Sequence, residues 1–469
     1  MRASVIALSI LLLLQTVLGG AQQSVSVLSY QDARSVVQAL SDVLPAPLQG
    51  IRPEAQAAAW SRWVNSFHDA LSERLLRGEE DTLAYFLIFG VSFSRQPRLA
   101  AADLRPDLRL QTQKIVQGRI EDLLRALADP EDNDRVWFFR SFLTRKGFRP
   151  GNPVDSEKLR EYLTANLTRV IRESASYAAA LEAARRIGDA SAEFAERSTL
   201  FHDRGLSPDT SLRPNLAVDQ SLRALKDQGF LAPAGIRRVA VIGPGLDFTD
   251  KDAGYDYYPP QTIQPFALID SLARLGLASA ANLDVTTLDV SLAVNDHIMR
   301  ARGRASEGTA YALQLPRDAR IPWKPEFLRY WETFGNQLGT AAPPVPPPAV
   351  LPGIVSRAVR IRPDVVLRIQ PVTLNIVTQH LELSDAQRFD LILATNVFVY
   401  YDVFQQSLAL VNVARMLRPG GFLLSNNALL ELPDSKIRSA GYQTSVYSDR
   451  QADGDHIVWY RYLPAIRNN

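Results

Sequence analysis

Residues Arg237 to Phe248 read RRVAVIGPGLDF, and the unbroken apolar run Val239, Ala240, Val241, Ile242 ends abruptly at Gly243-Pro244-Gly245. A short apolar run without polar alternation is the pattern of a strand covered on both faces, as in parallel sheets flanked by helices. Where such a strand stops at glycines, the backbone takes angles closed to other residues and lets a ligand lie against the main chain. This stretch therefore predicts an α/β domain with a binding edge at the end of its first strand.

The residues that follow extend that pattern. A loop, TDKDAGYDYYPPQT, delays the next helix, which is expected over 263 to 278 with Leu268, Ile269, Leu272 and Leu275 facing a sheet. A second strand at Leu283 to Leu288 ends in Asp289, where an acidic side chain can accept hydrogen bonds from both hydroxyls of a ribose or cap the surface. Residues 303 to 365 interrupt the alternation with an aromatic helix, Trp323 to Phe334, and a proline-rich run over 340 to 353. Its six prolines between 343 and 352 favour a semi-rigid extended connector. Strands are expected at 372 to 378 and 389 to 395, then a helix capped by Asp402 with Gln405 three residues on. After Arg418-Pro419-Gly420-Gly421 come a strand at Phe422 to Ser425, a short helix near 434 to 440, and two alternating runs, 442 to 448 and 456 to 463, whose short joint makes them antiparallel.

Before the glycine strand the periodicity is helical. Ser29 is a candidate N-cap, Trp60, Trp63, Val64, Phe67, Leu71 and Leu75 share a stripe, and further helices are read at 81 to 90, 113 to 128, 134 to 144 and 155 to 186. The division is an α-helical domain over 22 to 197, a connector over 198 to 235 with one helix at 216 to 227, and the α/β domain over 236 to 469. His68 and His202 lack a second ligand at helical or turn spacing and are read as ordinary polar residues. Arg2, the apolar run Val5 to Leu18 and the exit Leu18-Gly19-Gly20-Ala21 have the form of a secretory signal peptide cleaved after Ala21; a membrane anchor through residues 3 to 18 is the alternative. The chain has no cysteine, so export would not depend on disulfides. Its 52 basic and 50 acidic residues nearly cancel, and nucleic acid is not expected as a partner. Oligomeric state is open.

The glycine turn, the acidic strand end, FDLILATNVFVYYD and a helix closing in MLRPGGFLL together resemble class I S-adenosylmethionine-dependent methyltransferases, with local similarity around FDLILATNVFVYYD to the chemotaxis-receptor enzymes. The resemblance covers 236 to 469. It implies a Rossmann-like methyltransferase fold: a mostly parallel seven-stranded sheet with an antiparallel C-terminal strand, preceded by the helical domain. It further implies S-adenosylmethionine as cofactor and methyl transfer to an unknown acceptor. Gly243 and Gly245 are then expected at the methionine part, Asp289 at the ribose, Gln379 and His380 near the adenine, and Asn396 at the reaction edge. Tyr255, Tyr257, Tyr258, Tyr400 and Tyr401 are candidates to surround the sulfonium, and no general base stands out.

Two other classes stay open. A nicotinamide dehydrogenase would share Gly243 and Gly245, but Phe248 stands at the third glycine position and Asp289 lies 44 residues beyond Gly245, against ~20 for the usual ribose acid. An exported, non-catalytic binding or scaffold protein with a degenerate methyltransferase fold would reconcile the export signal with a cofactor made in the cytosol. Gly245→Val is expected to abolish ligand binding while leaving apo stability nearly unchanged.

Overall fold

Val239 and Val241 enter one hydrophobic core and Ala240 and Ile242 another, so the strand ending at the glycine turn is buried on both faces, as its unbroken apolar run requires. The computed structural model describes residues 24–99, 110–187, 205–207, 209–248, 255–450 and 454–464. The segment read as an export signal or anchor and His202 lie outside them. No described helix is long and apolar enough to cross a membrane.

In chain order the elements are β1 (Val25–Val27), α1 (Tyr30–Ala39), α2 (Gln56–Phe89), α3 (Leu110–Ala128), α4 (Asp134–Arg145), α5 (Pro153–Ile187) and α6 (Arg213–Asp227). Then follow β2 (Arg238–Ile242), α7 (Gln264–Arg274), β3 (Asp284–Asp289), α8 (Leu292–Ser306), β4 (Tyr311–Asp318), α9 (Pro325–Thr333), β5 (Gly339–Ala342) and β6 (Ile354–Ile361). The chain closes with β7 (Ile369–Thr373), β8 (Gln379–Leu381), β9 (Phe389–Ala394), α10 (Val403–Met416), β10 (Leu417–Ser425), β11 (Ile437–Val446) and β12 (Gly454–Tyr462).

The seven-stranded sheet has the order β7-β3-β2-β9-β10-β12-β11. β7, β3, β2, β9 and β10 run parallel, and β12 is antiparallel to both β10 and β11. The chain moves outward from β2 through β3 to β7, then returns to the other side of β2 with β9. The C-terminal ends of β2 and β9 thus flank the point where the winding reverses, the place where open α/β sheets leave a crevice.

Helices α6, α7 and α8 pack with the insert on one face of the sheet. On the other face lie α1, the first half of α2, and α10. The caps read from sequence form: Ser29 Oγ accepts the Asp32 amide at 3.2 Å, and Asp402 accepts the Gln405 amide at 2.8 Å.

Several boundaries differ from the sequence reading. The stripe from Trp60 to Leu75 and the helix expected at 81 to 90 are one helix, α2, 34 residues and about 51 Å long. Its first half contributes Trp60, Trp63, Val64 and Phe67 to the sheet's core, and its second half joins α3, α4 and α5 in a separate core. Residues 28 to 67 therefore pack as part of the sheet's core, because their apolar side chains cover a face that no other described helix but α10 fills.

The insert is more than a connector. β4, β6 and β5 form an antiparallel three-stranded sheet, with the proline run linking β5 to β6 and α9 packed through Phe327, Tyr330 and Trp331. The third strand of the main sheet ends at Thr373, not at 378. Leu374, Ile376 and Val377 turn into the core instead, and β8 pairs with β1 in a separate two-stranded sheet. The segment read as a helix at 434 to 440 contributes the start of β11, because pairing with β12 extends back to Ile437 opposite Tyr462.

Candidate functional site

The glycine turn takes the conformation its composition anticipates. Gly243 and Gly245 both have φ of +66°, in the left-handed region that other residues avoid. At Gly243 a Cβ would meet Val397 Cγ2 at 2.7 Å, so the backbone runs close beside the loop after β9. The Gly243 amide donates to Leu288 O at 2.9 Å, which ties the turn to the end of β3.

Asp289 ends β3 and is buried. Its carboxylate accepts the Ser291 amide at 2.8 Å, and the amides of Gly245 and Val290 lie close enough to favour its charged form. Burial pushes its carboxyl up to about 6, with those three amides pulling the other way. Asn396, just past β9, has a left-handed φ of +58°, and its amide donates to Asn426 Oδ1 at 2.8 Å.

Gly243, Gly245, Asp289 and Asn396 come from three strand ends and line one cleft of about 1580 Å³ at the C-terminal edge of the sheet. Tyr400 and Tyr401 line it too. Tyr255 and Tyr258 do not: they pack with Leu351, and Tyr258 donates to Asp247 at 2.7 Å. Tyr257 packs against the same small cluster.

Gln379 and His380 lie elsewhere, a correction to the adenine expectation. They sit on β8, where Gln379 Oε1 accepts the Asn375 amide and buried His380 faces Asn412 of α10, both consequences of the early end of β7. Burial and the Arg415 charge lower the His380 pKa, favouring the neutral ring. The strand end that does reach the cleft is Thr373, whose hydroxyl accepts from Asn295 Nδ2 at 3.0 Å.

Three further features had no sequence signal. Gln264 opens α7 at 3% exposure and donates to Thr395 Oγ1, while its Oε1 has no partner among the described residues. Both residues line the cleft, so a buried acceptor is left for a ligand's donor. His297 Nε2 and the Tyr311 hydroxyl are 2.8 Å apart, and Tyr311 accepts the Thr262 amide at 2.9 Å. Burial, with Arg300 and Arg304 nearby, lowers the His297 pKa to about 4, so the ring is neutral at pH 7.

Finally, α2 and α4 roof the cleft. Arg74 donates to Tyr400 O at 2.8 Å, and buried Arg135 donates to Asp247 O at 3.0 Å and to Phe248 O. Phe248, at the third glycine position of the dehydrogenase pattern, packs against Phe138 of α4 with ring centroids 4.4 Å apart. Helix α7 begins only at Gln264, so the glycine turn does not lead directly into a helix N-terminus as a dinucleotide phosphate site requires.

Strand order and a site at the winding reversal define a Rossmann-like methyltransferase fold preceded by a helical region. No protein-family model matches the chain, and no curated protein matches it. Among solved structures, about half the chain is similar to S-adenosylmethionine-dependent methyltransferases. The N-methyltransferase NodS from Bradyrhizobium japonicum WM9 aligns at 14% identity over 52% of this chain and 97% of that one, with a TM-score of 0.24. The glycopeptide N-methyltransferase MtfA, complexed with S-adenosyl-L-methionine, aligns at 15% over 54% and 68%, with a TM-score of 0.22. TrmN from Thermus thermophilus aligns at 14% over 53% and 52%, with a TM-score of 0.25. Superpositions this loose assign no activity to this chain, and the fold stands on its own strand order.

Proposed function

We propose that this chain binds S-adenosylmethionine in the cleft and transfers its methyl group to an acceptor. The observation that carries the reading is the meeting of Gly243, Gly245, Asp289 and Asn396 at one crevice. The residues present fit the cofactor. Gly243 and Gly245 leave the main chain open to its methionine part, Gln264 Oε1, a buried acceptor without a partner among the described residues, suits its ammonium, and Asp289 suits two vicinal hydroxyls.

When bound, the cofactor supplies an electrophilic methyl group on a sulfonium. The chain's own part is alignment and exclusion of water: α2 and α4 cover the crevice, and Asn396, Tyr400 and Tyr401 wall its edge.

Calorimetric titration with S-adenosylmethionine tests this. Micromolar binding is expected, weakened about tenfold or more in Asp289→Ala, the scale of a charge-assisted hydrogen bond of ~1.5–3 kcal/mol. Affinity should also fall as pH drops through 6, because protonation removes acceptor capacity from the carboxylate. For apo stability the sign is opposite. The folded pKa lies above the ordinary 3.8, so this group's contribution declines as pH rises from 3.8 to about 6 and is level beyond. An affinity that does not change with either substitution or pH removes Asp289 from the site. No binding at millimolar cofactor by folded protein favours the non-catalytic binding protein.

Export belongs to the same proposal, supported by the charged start, apolar middle and small-residue exit of residues 1–21. The mature chain is expected to begin at Gln22 by mass spectrometry. An intact Met1 on membrane-bound product would establish the anchor instead.

A further inference from the structure

The cleft is too large for one ligand. Pockets for a single small molecule span roughly 300–1000 Å³, against about 1580 Å³ here. The residues assigned to the cofactor account for the strand ends. What remains is the space under the helical roof.

There each roof helix turns one stripe toward the cleft: Ser72, Leu75, Leu76 and Glu79 on α2, and Asp134, Trp137, Phe138, Ser141 and Arg145 on α4. The spacings of three and four residues put each set on a single helix face. Both stripes are apolar in the middle, and Leu76 and Trp137 remain 43% and 46% exposed while neighbours such as Phe139, Phe142 and Leu143 are fully buried. Large apolar side chains left open inside a cleft mark a binding surface.

The polar groups narrow the ligand. Glu79 and Arg145 pair at 2.8 Å and cancel, leaving Asp134 as the charge that the two roof helices turn to the cleft, while Arg300 and Arg304 line it from α8; the roof itself thus offers an anion no unpaired cation. Ser72 and Ser141 give their hydroxyl protons to His68 O and Trp137 O, at 3.1 and 2.9 Å, so each presents its oxygen as an acceptor. Arg140 lies over the Trp137 ring, 5.2 Å from its centroid, a contact that polarises and steadies the indole.

We propose that the surface which α2 and α4 together turn to the cleft forms a second lobe that takes a neutral, planar aromatic molecule bearing a hydroxyl or amine, seated against Leu76 and Trp137. As the methyl acceptor's site it rests on the methyl-transfer reading; as a ring-binding lobe it does not.

The test titrates 2-naphthol into the full chain by calorimetry, with and without S-adenosylhomocysteine. Saturable binding is expected, weakened about tenfold or more in Trp137→Ala and in Leu76→Asp, with S-adenosylhomocysteine affinity and Tm nearly unchanged because both side chains are half-exposed. Three results overturn the proposal: no binding by the unsubstituted protein at millimolar naphthol, binding indifferent to both substitutions, or competition between naphthol and S-adenosylhomocysteine. Naphthol binding that depends on Trp137 in a protein that binds neither S-adenosylmethionine nor S-adenosylhomocysteine leaves the lobe standing and removes methyl transfer.

Discussion

Gly245→Val is expected to eliminate detectable S-adenosylmethionine binding and also to lower the apo melting temperature by a few degrees. The second effect departs from the sequence expectation of nearly unchanged stability. At φ +66° a residue with a Cβ costs about 1–2 kcal/mol, and β-branching makes the left-handed region less accessible still. The Gly245 amide also lies beside the Asp289 carboxylate, so a backbone that relaxes to relieve strain changes the carboxylate's surroundings. A control separates strain from site: Gly229 has φ +76° with nothing within 4 Å of an added Cβ, and it is not among the residues lining the cleft. Gly229→Val should show a similar loss of stability with binding intact. Unchanged affinity in Gly245→Val would falsify its role as the cofactor's cradle.

The second large effect is expected at Arg135. This side chain is 1% exposed, donates to the carbonyls of Asp247 and Phe248, and lies 5.2 Å from the centroid of the Tyr258 ring. It holds the segment after the glycine turn to α4. Arg135→Met keeps most of the volume but leaves two buried carbonyls short of their donors, at a cost of about 3 kcal/mol, a fall in melting temperature on the order of 5–10 °C. Because the carbonyls belong to the residues immediately beyond Gly245 and Leu246, cofactor affinity should fall as well, measured below the new transition. Lost stability with full affinity would make Arg135 a bolt between the helical region and the sheet with no hold on the site.

Asp256 works at the other end of the same loop. Its carboxylate accepts the Val91 amide at 2.8 Å and the Ser92 amide at 3.0 Å, where α2 ends. Two buried charged side chains thus fasten the long segment between β2 and α7 to the helices. The loop that interrupts the binding motif in the sequence is thus one of the parts that join the roof to the crevice, beside the Arg74 bond to Tyr400 O.

How much was legible follows from the range of the forces involved. The four apolar residues before Gly243, the acidic end of β3 and the Asp402 cap are local signals. Burial on both faces, a positive φ and an unpaired amide each act within a few residues, so the residue types reveal them. The seven-stranded sheet followed because its strands carry those signals one after another. The end of β7 is not legible in the sequence because Val372, Leu374 and Ile376 alternate with Thr373 and Asn375 as a strand would, and only the competing core beneath β1 and α1 draws Leu374, Ile376 and Val377 out of the strand. Gln379 and His380 moved with it.

By itself the sequence determined the α/β domain, the two glycines with φ of +66°, Asp289 at its strand end and the helical content ahead of them. Tertiary structure alone decided that α2 serves two cores, that α2 and α4 roof the crevice, that Gln264 Oε1 has no partner among the described residues, and that Thr373 rather than Gln379 reaches the cleft. These depend on pairings between residues more than a hundred positions apart, such as Arg135 with Phe248 and Arg74 with Tyr400. Such pairings leave no periodicity in the chain, because an arginine that donates to a backbone carbonyl places no demand on which residue carries it.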